Sequence, residues 1–154
     1  MLSQKLIESV ERHCDQILDG LVAQVKRDPE LPHLRKLSEE ELRERGRAAL
    51  RNLDHWLTGG KPAYLVRQYE ALGRVRFEES IPLHEVVRGL QILKEQTVGF
   101  VRDWGFGQAA AEVQAEEELE YLVDRFFDRL VYHVVLGYEE ALRNAAQLRR
   151  FAHP

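Results

Sequence analysis

The chain has 154 residues, 44% of them hydrophobic and 31% charged, with a formal net charge of −4. Such a length suits one ordinary domain with a real core, the composition is globular rather than disordered, and the acidic balance does not favour a nucleic-acid surface. No apolar run approaches the roughly 20 residues of a membrane helix, no basic-then-apolar leader opens the chain, and the single cysteine, Cys14, allows no intrachain disulfide, which suits a reducing, cytoplasmic setting.

The pattern predicts five helices. The first runs from about Ser3 to Arg27, where Leu6, Val10, Ile17, Leu21 and Val25 form one apolar stripe, and Asp28-Pro29 and Pro32 end it. The second opens on a capping box, Ser38-Glu39-Glu40-Glu41, carries Leu42, Ala49, Leu53, Trp56 and Leu57 inward, and stops at Gly59-Gly60. Glu39/Arg43 and Glu41/Arg45 have the favourable i,i+4 order. The third begins near Pro62, a residue suited to a first turn, with Leu65, Tyr69, Leu72 and Phe77 on its inner face. Ser80-Ile81-Pro82 breaks it, and the fourth runs to about Trp104 before a turn at Gly105-Phe106-Gly107.

From about Gln108 to Arg150 there is no proline and one glycine, Gly137. Acidic residues (Glu112, Glu116, Glu117, Glu118, Glu120) crowd its start and Arg143, Arg149 and Arg150 its end, an order that suits the helix dipole. A continuous helix of about 40 residues would span about 60 Å, more than a compact domain of this size. Either it breaks, near Gly107 to Gln114 or at Gly137, or its end projects.

Catalytic signals are missing: there is no Gly-rich phosphate loop, GxSxG, HExxH or CxxC. Cys14 follows His13, but helix neighbours point about 100° apart, so the pair is not a nucleophile and its base. Cys14 reads as a buried small hydrophobe. Glu30-Leu31-Pro32-His33 matches the Glu-x-x-His of di-iron bundles only in a proline-bearing loop, so no metal site is expected. The acidic run Glu116 to Glu118 reads as a solvated helix start. Phe126 and Phe127 point to adjacent faces; with Val123, Leu130, Val134 and Tyr138 they place one face inward and another in a dimer interface.

The segment Leu72 to Leu93, LGRVRFEESIPLHEVVRGLQIL, carries arginines at a helix end, a Glu-Glu-Ser break and a helix restart at Pro82. It resembles the hinge between two central helices of the RsbR-type N-terminal domain, the family found in stressosome RsbT co-antagonists and in front of some histidine kinases. A weaker echo lies in Phe126 to Leu142, FFDRLVYHVVLGYEEAL, which resembles the final helix leading to an output module. The resemblance covers most of the chain in helix order. It implies an all-α, globin-like single domain over residues 1–154, with five or six helices and a long last one, either complete or preceding an output domain.

It also implies a non-enzymatic sensory or regulatory role, without haem or other cofactor and without membrane or nucleic-acid contact. The domain would be a homodimer working on a protein partner or a fused output domain of the anti-sigma-factor-antagonist or histidine-kinase type. Arg74, Arg76, Pro82 and Arg88 are the hinge candidates, against a plainer reading of a solvated face paired with Glu78, Glu79 and Glu85. Phe126, Phe127, Leu130 and Val134 are the dimer-interface candidates. Because the implied fold is globin-like, the alternative is a haem-bound gas or redox sensor. His133, which shares a face with Phe126, Leu130 and Gly137, or His84, in the first turn of the fourth helix, would be the ligand.

Overall fold

A computed structural model describes residues 4–59, 62–103 and 110–152. Among them the chain is all-α: α1 (Gln4–Arg12), α2 (Cys14–Arg27), α3 (Pro32–Arg35), α4 (Glu39–Leu57), α5 (Pro62–Glu78), α6 (Leu83–Asp103) and α7 (Ala110–Ala152). Helix α7 packs along α5 and α6, and α2 packs on α6 and α4. None of these helices is long and apolar enough to cross a membrane. The expected turn at Gly105-Phe106-Gly107, the ring of Trp104 and the partner glycine Gly60 lie outside the described residues.

Seven helices replace the five or six expected, for two local reasons. The first predicted helix is broken at His13, whose backbone (φ −107°, ψ 19°) leaves the helical region. Its ring nitrogen Nδ1 lies 2.9 Å from the Ser9 carbonyl oxygen, and the ring packs 5.4 Å from that of Phe100 on α6. Side chains that bond to nearby backbone compete with helix continuation in this way. The second addition is α3, one turn with Pro32 in its first position, inside the segment read as a loop.

The capping box forms as read. Ser38 Oγ accepts from the Glu41 amide at 3.1 Å, and the Ser38 amide donates to the Glu41 carboxylate at 2.9 Å. Caps of this kind contribute about 1 kcal/mol. The two arginines expected to pair with Glu39 and Glu41 are drawn instead across the fold. Arg43 binds Asp19 on α2 at 2.5 Å, and Arg45 binds Glu79 beyond the end of α5.

Helix α7 is continuous over 43 residues, about 65 Å of helix, against roughly 40 Å for a compact body of this chain length. Gly137 does not break it. A Cβ there would stand 1.9 Å from the Glu70 carbonyl oxygen, and one at Gly73 would stand 2.0 Å from the Val134 carbonyl oxygen. The two glycines face across the α5–α7 crossing and let the backbones meet.

The core lies along this crossing. Leu119, Val123, Phe126, Phe127, Leu130 and Val134 of α7 are at most 1% exposed. They meet Leu65 and Tyr69 of α5, Ile92 and Leu93 of α6, and Ile17 and Leu18 of α2 in one cluster. Burial of each such side chain is worth about 1.5–3 kcal/mol. The Phe126 ring is flanked by those of Trp56 (5.9 Å), Tyr69 (5.9 Å) and Phe127 (5.2 Å).

Candidate functional site

The α5–α6 break is an ordered corner. Ser80 sits at φ +60°, its amide donates to the Phe77 carbonyl at 2.9 Å, and the Ile81 amide donates to the Arg76 carbonyl at 3.2 Å. That pair of bonds is the Schellman closure of a helix end, with serine in the left-handed position that glycine usually fills. The next helix starts at once, because the Pro82 carbonyl accepts from the Glu85 amide at 3.0 Å and the Val86 amide at 3.1 Å.

The corner is tied to α7. Tyr138 donates its hydroxyl hydrogen to the carbonyl of the buried Ile81 at 2.7 Å. The Phe77 and Tyr138 rings meet edge to face at 5.5 Å. Arg74 pairs with Glu140 at 3.5 Å. These contacts fall where α7 leaves the body. From Glu139 to Phe151 all residues are exposed except the half-buried Ala141 and Ala145.

The candidate arginines do not share one site. Arg74 takes Glu140, Arg76 takes Glu79 at 2.6 Å, and Arg88 takes Glu95 farther along α6 at 2.9 Å. Glu79 is the node, held by Arg76 and Arg45 together. Burial pushes its carboxyl up, but the hydrogen bonds from the two guanidinium groups outweigh this and bring it below the ordinary carboxylate value. Burial, with Arg45 close by, lowers Arg76. A carboxyl held low stabilises the fold above its unfolded pKa, and that contribution is lost as pH falls through the folded value. Of the carboxylates read as partners of the arginine face, Glu85 does something else.

Glu85 is 0% exposed. It accepts from the His33 amide at 3.0 Å and the Leu34 amide at 3.2 Å, and faces His33 Nδ1 at 2.5 Å. A buried carboxylate on the open amides of α3 clamps that turn to α6. The clue was a charged residue on the inner stripe of α6, in phase with Gly89 and Ile92. His33 thus meets Glu85 and not Glu30. No group of three or more His, Cys, Asp or Glu side chains among the described residues converges as a metal site.

The residues of the candidate dimer face are taken up within the chain itself. Phe126, Phe127, Leu130 and Val134 are buried in their own chain's core at 0–1% exposure. Adjacent apolar faces of α7 are covered by α5 and α6 of the same chain, so a second copy would have to use other residues. The candidate haem ligands also separate. His84 is exposed, and His133 Nδ1 lies 3.1 Å from the Glu70 carboxylate, with its ring against Tyr132. Neither lines the clefts of about 400 and 390 Å³. Between Trp56 and Tyr69 there is a cavity of only about 50 Å³. The Tyr69 hydroxyl is buried with no hydrogen-bond partner among the described residues.

The cleft of about 400 Å³ lies where α1 and α2 meet α4, and Cys14, Glu11 and Asp54 line it. Burial pushes the Cys14 thiol above its ordinary value, the opposite of an activated nucleophile. A hydrogen bond to the Asp54 side chain, then burial and the charges of Asp54 and Glu8, push the Glu11 carboxyl up to about 7. Neither residue carried a sequence motif.

The fold and the corner together define a class: an all-helical domain whose last helix crosses the body, is bonded to an interhelical corner, and projects beyond it. Residues 11–152 match the family described as the RsbT co-antagonist protein rsbRD N-terminal domain. The chain belongs to that family, as the Leu72 to Leu93 segment implied. No curated protein and no solved structure matches the chain.

Proposed function

We propose that this domain is a non-enzymatic regulatory module in which the corner at Ser80, Ile81 and Pro82 positions α7, and α7 carries the signal outward as one lever of a homodimer. The observation that carries this reading is the 2.7 Å bond from Tyr138 to the Ile81 carbonyl. It joins the only backbone feature with a left-handed non-glycine residue among those described, Ser80, to the point where α7 leaves the body.

Dimerisation is supported by the phase of α7. Phe127, Leu130, Val134, Gly137, Ala141, Asn144, Leu148 and Phe151 alternate at spacings of three and four, the seam of a coiled coil. The first four are buried in the body, while Leu148 and Phe151 are 70% and 87% exposed. The seam therefore continues past its own cover, and a second copy of the same stripe would complete it. A partner protein or fused output domain beyond this helix is part of the same reading. Its regulatory character is supported by family membership, since the family is that of co-antagonist proteins.

The test is a distance between spin labels on Arg150→Cys in a Cys14→Ala background. The expected result is one narrow intermolecular distance that shifts or broadens when Tyr138→Phe is added. The absence of any intermolecular distance, or one that Tyr138→Phe leaves unmoved, would count against it. Haem binding, the alternative, gains no support from a cavity beside His133 or His84. The expectation is that added haemin keeps its free spectrum; a stoichiometric Soret shift lost in His133→Ala or His84→Ala would reverse this.

A further inference from the structure

The cleft where α1 and α2 meet α4 has no part in that lever. Its floor is apolar, with Val10, Leu50, Leu53 and Leu57, and its volume of about 400 Å³ falls in the range of small-molecule sites. Its charges are unevenly satisfied. Arg47 and Arg51 are drawn to Glu44 at 3.1 and 3.0 Å, and Arg47 also reaches Asp15 at 3.9 Å. Asp54 Oδ1, in contrast, is buried with no hydrogen-bond partner among the described residues, and the hydrogen available to this carboxyl is the proton it shares with Glu11.

Beside Asp54 stands Glu11, another group that only accepts hydrogen bonds when ionised. Two acceptors facing each other need either a shared proton or an outside donor. Hard metal ions take six or more oxygens, and no group of three candidate ligands converges among the described residues. An anion would suit the arginines, but those of α4 are already engaged, and the unsatisfied atom is an acceptor.

We infer that this cleft binds a small organic cation, an ammonium on an apolar body, whose N–H groups are held by Asp54 and Glu11 and whose carbons lie on Leu50, Leu53 and Leu57. The inference stands apart from the lever and dimer reading, because it needs only one copy of the chain. A bound ammonium replaces the proton shared by the two carboxyls and supplies the missing donor.

Affinity should depend on pH. The titratable and charged groups at the cleft are Glu8, Glu11 and Arg12 of α1, Cys14 and Asp15 of α2, and Arg47, Arg51 and Asp54 of α4. Glu11 changes charge near neutrality, while the Cys14 thiol, raised by burial, stays neutral there. An ammonium ligand therefore binds more weakly as pH falls through about 7.

The experiment is calorimetric titration of the whole chain at about pH 8 with hexylamine, against hexanol and hexanoate as controls of equal carbon skeleton. The expected result is a single saturable site for hexylamine, with both controls weaker by about tenfold or more. Asp54→Asn and Glu11→Gln should each weaken hexylamine about tenfold, with far-ultraviolet circular dichroism unchanged. Should Asp54→Asn fail to fold, Glu11→Gln carries the test, because Glu11 lies at the surface. Absence of saturable hexylamine binding, hexanoate binding more tightly, or undiminished affinity in the folded variants would each overturn the inference.

Discussion

The two parts of α7 obey one pattern and meet opposite fates. Up to Tyr138 the seam is covered by α5 and α6, and Phe126, Phe127, Leu130 and Val134 are at most 1% exposed. Past Glu139 the same spacing continues through the half-buried Ala141 to Asn144, Leu148 and Phe151, which are all exposed. A periodic apolar stripe states that a face is to be buried; it does not state by what. In the first part the burial is intramolecular and stabilises the fold. In the second, one polar seam residue, Asn144, stands among Ala141, Leu148 and Phe151, an arrangement that in coiled coils trades stability for register.

Substitutions in the two parts should separate these roles. The largest effect is expected at Phe126, where Phe126→Ala empties a ring site against Trp56, Tyr69 and Phe127. It should cost about 3–5 kcal/mol in denaturant unfolding. Phe151→Ala, on a residue 87% exposed, should cost under about 0.5 kcal/mol at concentrations where the chain is a monomer. Equal costs would erase the distinction. Next comes Gly137→Ala. Its methyl group would lie 1.9 Å from a backbone oxygen of α5 that has no rotamer to retreat into, so a loss of about 1–3 kcal/mol is expected. An unchanged melting temperature would show that the crossing is looser than described. At the boundary, Tyr138→Phe removes one hydroxyl and leaves the Ile81 carbonyl without that donor, a loss of about 1 kcal/mol.

Much of this architecture was legible because its signals are local. Ser38 and Glu41 form a box within one turn, Pro62 opens a helix, and Ser80 to Pro82 mark a corner. The break at His13 was not legible in the periodicity, and the ring it sets against Phe100 meets a helix distant in sequence. In the sequence Gly137 suggests only a place where the helix could break, and it takes Gly73 on the opposite helix to show a close crossing instead. The pairs Glu39/Arg43 and Glu41/Arg45 had suitable spacing, yet Asp19, Glu79 and the Ser38 amide claimed those side chains.

The candidate sites were harder still. Arg74, Arg76 and Arg88 share a short stretch of sequence but bind Glu140, Glu79 and Glu95 in three places. Tyr138 carried no signal as the corner's tie, because the Ile81 carbonyl it binds is backbone and has no sequence signature. Glu11 and Asp54 belong to helices far apart in the chain, and only the packing of α1 on α4 makes them neighbours.

The claim that α7 projects in order to pair is tested most directly by sedimentation equilibrium on the parent chain and on a Leu148→Asp/Phe151→Asp variant at about 50 µM. The account expects a dimer for the parent and a monomer of unchanged helicity and melting behaviour for the variant. A parent that stays monomeric, or a variant that still dimerises, would contradict it.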